Sequence, residues 1–365
     1  MTLKRRQFLA TGLLAAGGAS TLAAPALAQS QPAVTWRLAS SFPKSLELLF
    51  GTSQLLAKYV AEATDNNFQI QPFAAGEIAP GGQALDIVTS GVVECAHSPG
   101  GYYLAKEVAL GCGSGLPFGL NQRQQQAWWA HGGGAQIFNE ALKRFNAFGL
   151  PMGSGGAHGG GWFRREITTA DDFKGLKIRT SGMGGQVLAR LGALPQQLTP
   201  SEIAPALENG SIDAASVLGP YDDEKLGLAS VAKIYHTPGW WDRAATVHLM
   251  INLEAWSKLP KPYQAIVAHA AEAANAWMLT KYDTVNAPAL KRLVAAGSVI
   301  KPFPAPVLEA CYKAAGEHYA EIAGQNPLFK KALDSMTAFR QEQAAWWHVS
   351  DHGLDAFMNA RQGKG

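Results

Sequence analysis

Cysteine is scarce in this sequence: three residues in 365, Cys95, Cys112 and Cys311. An odd count at long spacings gives no disulfide framework, and no C-x-x-C or zinc-type spacing occurs. Cys95 and Cys311 sit in apolar patterns, where a free thiol packs as a small hydrophobe. Charge is scarce too. Charged residues make up 16% of the chain and apolar residues 47%, a balance that excludes disorder and can fill a sizeable core. Catalytic signatures are missing as well: there is no P-loop, no G-x-G-x-x-G after a strand, no H-E-x-x-H and no EF-hand pattern. Two HGGG strings, His131–Gly134 and His158–Gly161, would supply oxyanion amides only beside a G-x-S-x-G nucleophile, and the chain has none. Their glycines read as tight backbone turns. With no nucleophile, poised base or firm metal set to assemble, the sequence reads as a non-enzyme.

An apolar run long enough for a membrane span is also absent. Thr11 to Ala24 is rich in Gly and Ala and is broken by Pro25, a poor match to the roughly 20 apolar residues a span requires. Lys4-Arg5-Arg6 before this run, "RRQFLA" and the A-x-A site Ala26-Leu27-Ala28 together predict a twin-arginine-like export signal over residues 1–28, removed before Gln29. Its three basic residues account for the whole formal charge of +3. The mature chain, 29–365, is then neutral, which argues against nucleic acid or an anionic membrane as partner.

What remains alternates. "VTWRLAS" (Val34 to Ser40) has strand periodicity, Leu46, Leu49, Leu55, Leu56 and Val60 have helical spacing, and "NFQIQPF" is again strand-like, the signature of an α/β layer with a largely parallel sheet. One pattern occurs twice. A helix over Gln83–Thr89 stops before Gly91 and the short strand of "GVVECAHS"; a helix over Thr199–Leu207 stops before Gly210 and "GSIDAASV". The second helix carries a capping box, with Thr199 at N-cap, Pro200 at N1 and Glu202 at N3. The echo suggests two similarly built lobes whose strands end at His97-Ser98 and Ser216-Val217. The last third is helical over Tyr263–Tyr282, Pro306–Ala323 and Pro327–Trp347, and the final helix could cover a core or dock on a partner subunit.

Chemistry-bearing residues are few. Trp162-Phe163 and Trp240-Trp241 follow glycine turns and precede Arg164-Arg165 and Asp242; aromatic walls with a few polar groups line small-ligand clefts. Asp222-Asp223-Glu224 opens a helix, where acids suit the macrodipole, so capping is expected there and not metal binding. Arg179 closes the strand of "FKGLKIRTSGMGGQVLARLGA" and is followed by a glycine-rich turn, Ser181 to Gly185. A guanidinium at a strand mouth offers planar donors to a carboxylate, at the end of an α/β sheet where ligands bind.

The strings "VTWRLASSFPKS", "AAGEIAPGGQALDIVTSGVVECAH", "GGWFRREI", "FKGLKIRTSG", "IDAASVLGPYDDEKLG" and "PGWWD" occur in order. From about Thr35 to the last helix the chain resembles the periplasmic solute-binding proteins of TRAP transporters (DctP type), nearest the branch that binds 2-oxo acids. The resemblance implies two α/β lobes about a central cleft, joined by crossing connections and followed by a helical C-terminus. It implies capture of a small organic acid in the periplasm, delivery to a sodium-driven permease, and a homodimer. Arg179 matches the arginine that holds the substrate carboxylate. The expected ligand-binding set is Arg179, His158, Ser216, Val217, Trp241, Asp242 and Tyr102. In the 2-oxo-acid branch a metal ion touches the ligand, but its positions here carry His158, Ser216, Val217 and Asp242. Of these only His158 and Asp242 are left to bind a cation, and Ser216 lacks a hard anionic oxygen, so no cofactor is assigned. Ser216 and Val217 alter the pocket, which leaves a larger or aromatic carboxylate as the alternative ligand. A metal-assisted hydrolase built on His158 and Asp242 is the enzyme alternative, and a sensor-coupled binder would share the same cleft.

Overall fold

In a computed structural model, the structure describes residues 32–180 and 182–362. The expected export signal lies outside the described residues, and so does Ser181 of the glycine-rich turn.

Two mixed sheets build the molecule. The first has the order β2-β1-β3-β10-β4, and the second β11-β9-β5-β8-β6-β7. In chain order the strands are β1 (Val34–Ser40), β2 (Phe68–Phe73), β3 (Cys95–Ser98), β4 (Ala147–Ser154), β5 (Gly161–Phe163), β6 (Lys177–Arg179), β7 (Leu194–Gln196), β8 (Ala214–Ala215), β9 (Ile234–Thr237), β10 (Thr246–Asn252) and β11 (Val299–Pro302). β1 pairs in parallel with β2 and β3, while β10 runs antiparallel between β3 and β4. All seven residues of β10 are buried, because this central strand is covered on both faces.

One face of the first sheet packs Trp36, Leu38, Phe68 and Ile251 against helix Glu47–Ala63 and the start of a long helix, Lys261–Ala295. The other face packs Leu85, Leu110, Trp128 and Phe138 against Phe329 and Met336 of helix Pro327–Trp347. The second sheet is covered the same way. Phe163, Ile178, Val187 and Trp241 meet Phe303 and Val307 on one side, and Trp162, Ile203, Leu207 and Tyr235 meet Leu293 on the other. Cys95, Cys112 and Cys311 are buried and free within these cores, as their apolar settings predict.

The connections cross. The chain leaves the first sheet after β4, enters the second at β5, returns from β9 to β10, and passes over again along the long helix to β11. That helix outruns the expected Tyr263–Tyr282 and continues through Pro288. Losing one backbone hydrogen bond at a proline is offset because Ala289 and Leu293 beyond it are buried, Leu293 against the second lobe. β8 is shorter than "GSIDAASV" suggests, only two residues. After it the chain bends towards the cleft, with the Ser216 amide still donating to the Arg179 carbonyl at 2.9 Å. Among the described residues no helix is long and apolar enough to cross a membrane.

Candidate ligand-binding site

β6 ends by placing Arg179 inside the protein, at 3% exposure. Its Nε donates to the Leu198 carbonyl at 3.0 Å and Nη1 to the Ser216 carbonyl at 2.5 Å. A guanidinium carries five N–H donors, so these two bonds fix its plane and leave three without a protein acceptor among the described residues. The cavity that Arg179 lines measures about 50 Å³. A water needs roughly 10–15 Å³ by the same measure, so the cleft as it stands suits a compact ligand.

His158 lies on the crossover between β4 and β5, and Asp242 on the one between β9 and β10. The His158 amide donates to the Asp242 carbonyl at 3.2 Å, which ties the two crossovers together. Gly239 permits this approach, since a Cβ there would lie 2.6 Å from the His158 Cβ. The Trp241 indole Nε1 donates to His158 Nδ1 at 3.0 Å, and the Ser216 hydroxyl lies 3.3 Å from the same nitrogen. Burial, and then the neighbouring Arg179 charge, push the imidazole pKa down to about 3, so the ring is neutral. An indole N–H only donates, so Nδ1 is the acceptor and Nε2 bears the hydrogen. His158 therefore presents a donor.

Asp242 Oδ1 accepts from the amides of Ala244 and Ala245 at 3.0 and 2.7 Å. Burial raises its pKa to about 6, against the opposing pull of these two amides. Gly115 makes room for it, because a Cβ there would lie 2.4 Å from Oδ1.

Arg179, His158, Val217, Asp242 and Tyr102 come together around the cavity. Ser216 and Trp241 stand behind it: the Ser216 carbonyl holds Arg179, and Trp241 packs in the second-lobe core with only its indole N–H turned to His158. Sequence reasoning missed the opposite wall, which Phe42, Leu49, Ser114 and Thr246 supply. Phe42 lies within the quoted "SSFPKS" string, the one signal that could have found it. The acidic run also departs from expectation. Helix Pro220–Lys225 makes no side-chain cap hydrogen bond, and Asp222 and Asp223 are buried in its first turn. Asp222 Oδ2 instead accepts from Tyr282 Oη at 2.6 Å, and Glu224 pairs with Arg292. These groups lock the helix to the long crossing helix, a stronger demand on them than capping.

The side chains alone do not fill a calcium shell; a cation bridging the ligand would draw on the ligand's own oxygens, water and backbone carbonyls beside Asp242. Ca²⁺ takes six to eight oxygens, and the cavity's side chains offer one carboxylate, that of Asp242, with an oxygen already shared by two amides. Among the described residues no three His, Cys, Asp or Glu side chains converge on a point.

Two α/β lobes with crossing connections, closing a small cleft on a buried guanidinium, are the architecture of a solute-binding protein. The chain belongs to the DctP family, bacterial extracellular solute-binding protein family 7, whose model matches residues 39–326. Over 365 residues it is 42% identical to the monocarboxylate 2-oxoacid-binding periplasmic protein of Nostoc sp. strain PCC 7120, covering 99% of this chain and all of that one. It is also similar to a TRAP transporter solute-binding protein from Bordetella bronchiseptica RB50, with 41% identity, a TM-score of 0.90, and 92% and 99% of the two chains covered. That protein is a mixed-occupancy dimer, one active site holding copurified calcium and picolinate and the other apo. A periplasmic relative from Colwellia psychrerythraea, 30% identical with a TM-score of 0.86 over 88% of this chain and 99% of that one, holds calcium and pyruvate.

Proposed function

We propose that this protein captures a small 2-oxo monocarboxylate and delivers it to a sodium-driven TRAP permease. The observation that carries the reading is Arg179, buried with three donors uncommitted. A buried guanidinium keeps its charge, and the ligand carboxylate supplies what the fold withholds. The His158 Nε2–H adds a second donor, and Val217, Tyr102, Phe42 and Leu49 exclude water around the ligand's carbon chain. A cavity of about 50 Å³ favours pyruvate-sized acids over aromatic ones, and the picolinate of the Bordetella neighbour makes an aromatic acid the second reading. No metal takes part in this scheme. Titration calorimetry with pyruvate and picolinate, with and without EDTA, tests it. Pyruvate binds more tightly, with a dissociation constant unchanged within about twofold by EDTA; failure of every monocarboxylate to bind overturns the reading.

The family resides outside the cytoplasm, and removal of residues 1–28 on export fits that setting. The protein acts as a homodimer in this proposal. Val349, Leu354, Phe357 and Met358 near the C-terminus are exposed. An apolar groove of about 380 Å³, lined by Pro117, Phe118, Tyr312, Tyr319 and Met336, offers the matching surface on a second copy. Deleting residues 348–365 converts the dimer to a monomer in sedimentation velocity; a deletion that leaves the sedimenting species unchanged rules out this contact.

A further inference from the structure

Behind the ligand cleft lies a second cavity of about 190 Å³, bounded by helix Gln122–His131, β4 and the long crossing helix. Thr246 lines both cavities. Gly113 lines the second, and the next residue, Ser114, lines the first. The partition is therefore one residue thick.

The floor of the second cavity is polar and incomplete. Gln125 Nε2 donates to the carbonyls of Cys112 and Gly113 at 2.8 and 3.1 Å, which fixes the amide. Among the described residues its Oε1 has no partner, and neither does the hydroxyl of Thr246, although the two residues are only 2% and 4% exposed. Buried oxygens of this kind take water in a polar space of sufficient size. Trp129, Leu150 and Pro151 give the chamber apolar walls, while the Glu272 side chain at its rim is exposed.

The two halves of the partition differ in what they can yield. Gly113 is already minimal, and a Cβ there would sit 2.4 Å from the Phe138 ring and 3.2 Å from His248. Ser114 is engaged, accepting from the Gly101 amide at 3.1 Å beside Tyr102. Thr246 alone projects a side chain with a free hydroxyl.

We propose that Thr246 sets the chain length of the bound acid: the cleft stops at its side chain, and a longer acid would need the chamber beyond it. This inference rests on the 2-oxo monocarboxylate reading and names its specificity determinant. A methylene admitted to or refused by a pocket changes binding by roughly 10- to 200-fold.

The test measures dissociation constants for pyruvate, 2-oxobutanoate, 2-oxopentanoate and 2-oxohexanoate with the wild type, Thr246→Gly, Ala268→Leu and the double variant. Ala268 lines only the chamber, so leucine there fills it from the long helix. The wild type binds 2-oxohexanoate at least about tenfold more weakly than pyruvate. Thr246→Gly shrinks that ratio by about tenfold or more, and adding Ala268→Leu restores it. Ala268→Leu alone leaves the wild-type ratio in place. If Thr246→Gly lacks a cooperative melt, Thr246→Ala is read in its place. A ratio unchanged by opening the partition, with pyruvate still bound, overturns the proposal alone. Failure of the wild type to bind any of the four acids overturns the functional reading with it.

Discussion

The same helix–glycine–strand pattern ends in two different ways. In the first lobe, helix Ala84–Thr89 leads through Gly91 to β3, and the polar residues at the strand's end are satisfied inside the chain. His97 bonds Ser53 Oγ through Nδ1 at 3.0 Å and the Met152 carbonyl through Nε2 at 2.7 Å. Ser98 Oγ meets Ser41 Oγ and Tyr103 Oη, each at 2.7 Å. In the second lobe, helix Pro200–Glu208 leads through Gly210 to β8. The polar groups there point at one another only in part, and Arg179 keeps spare donors. Both ends are buried beside a histidine held neutral: His97, within β3, at a pKa of about 4, and His158, which reaches the second end from the crossover between β4 and β5, at about 3. Burial of polar groups does not mark a binding site. The binding role proposed for the second end rests instead on hydrogen-bonding capacity left open beside a cavity.

The comparison breaks most visibly at Arg179. Arg179→Ala should weaken carboxylate binding by about 3 kcal/mol or more, over a hundredfold, because on the proposed reading it removes the cation that faces the buried ligand charge. Its effect on stability should be small by contrast: leaving the Leu198 and Ser216 carbonyls without a donor costs stability, but removing a buried charge that has no ion-pair partner among the described residues offsets that cost. An unchanged dissociation constant in calorimetry would return Arg179 to the scaffold. His97→Ala should do the reverse. It leaves the Met152 carbonyl and Ser53 hydroxyl unpaired and opens a cavity, together costing about 3 kcal/mol of unfolding free energy. The folded fraction should bind ligand within about twofold of the wild type. A loss of affinity rivalling that of Arg179→Ala would erase the distinction between the two strand ends.

A finer contrast separates the two histidines. His158→Phe keeps a ring of similar breadth and removes both the Nε2–H donor and the acceptor for the Trp241 indole. The lost ligand hydrogen bond is worth about 1–1.5 kcal/mol, roughly tenfold in affinity. Affinity equal to the wild type would make His158 another internal brace like His97.

The place of Arg179 at the end of a strand was legible because its signal is local: a strand, its terminal charge and the turn after it lie within a few residues. The alternation of strands and helices was legible for the same reason, and so was the Thr199–Glu202 capping box, where Glu202 accepts from the Thr199 amide at 2.7 Å. The far wall of the cleft was not. Phe42 and Leu49 flank the start of helix Glu47–Ala63, Ser114 ends the later helix Gly111–Ser114, and Thr246 returns in β10 only after the second lobe, so long-range folding and no local pattern brings them to the cavity. Trp241 shows the opposite error. A tryptophan beside a glycine turn fits a cleft wall, yet Gly184 lets helix Met183–Arg190 press against it, with a Cβ there only 2.5 Å from the Trp241 Cβ. That contact holds the ring in the core, and nothing in the local pattern announces it.

The smallest expected effect sharpens the scaffold role of His97 through pH. Its pKa falls from the ordinary 6.5 to about 4 on folding, first through burial, with the Met152 hydrogen bond opposing. Between these values the unfolded chain binds the proton and the folded chain does not. Stability linked to His97 is therefore intact above about pH 6.5 and drains away as the pH falls towards 4. His97→Gln can keep one of the two hydrogen bonds but cannot titrate. Denaturant melts at pH 6.5 and 5.5 should show the wild type losing about 1 kcal/mol more than this variant. The raised carboxyls of Asp222 and Asp242 titrate in both proteins, and His248, pushed down mainly by its burial and only secondarily by His97, stays neutral in both, so the difference between the two melts reads His97. Equal losses in the two proteins would mean that His97 is not kept neutral by its burial at the end of β3.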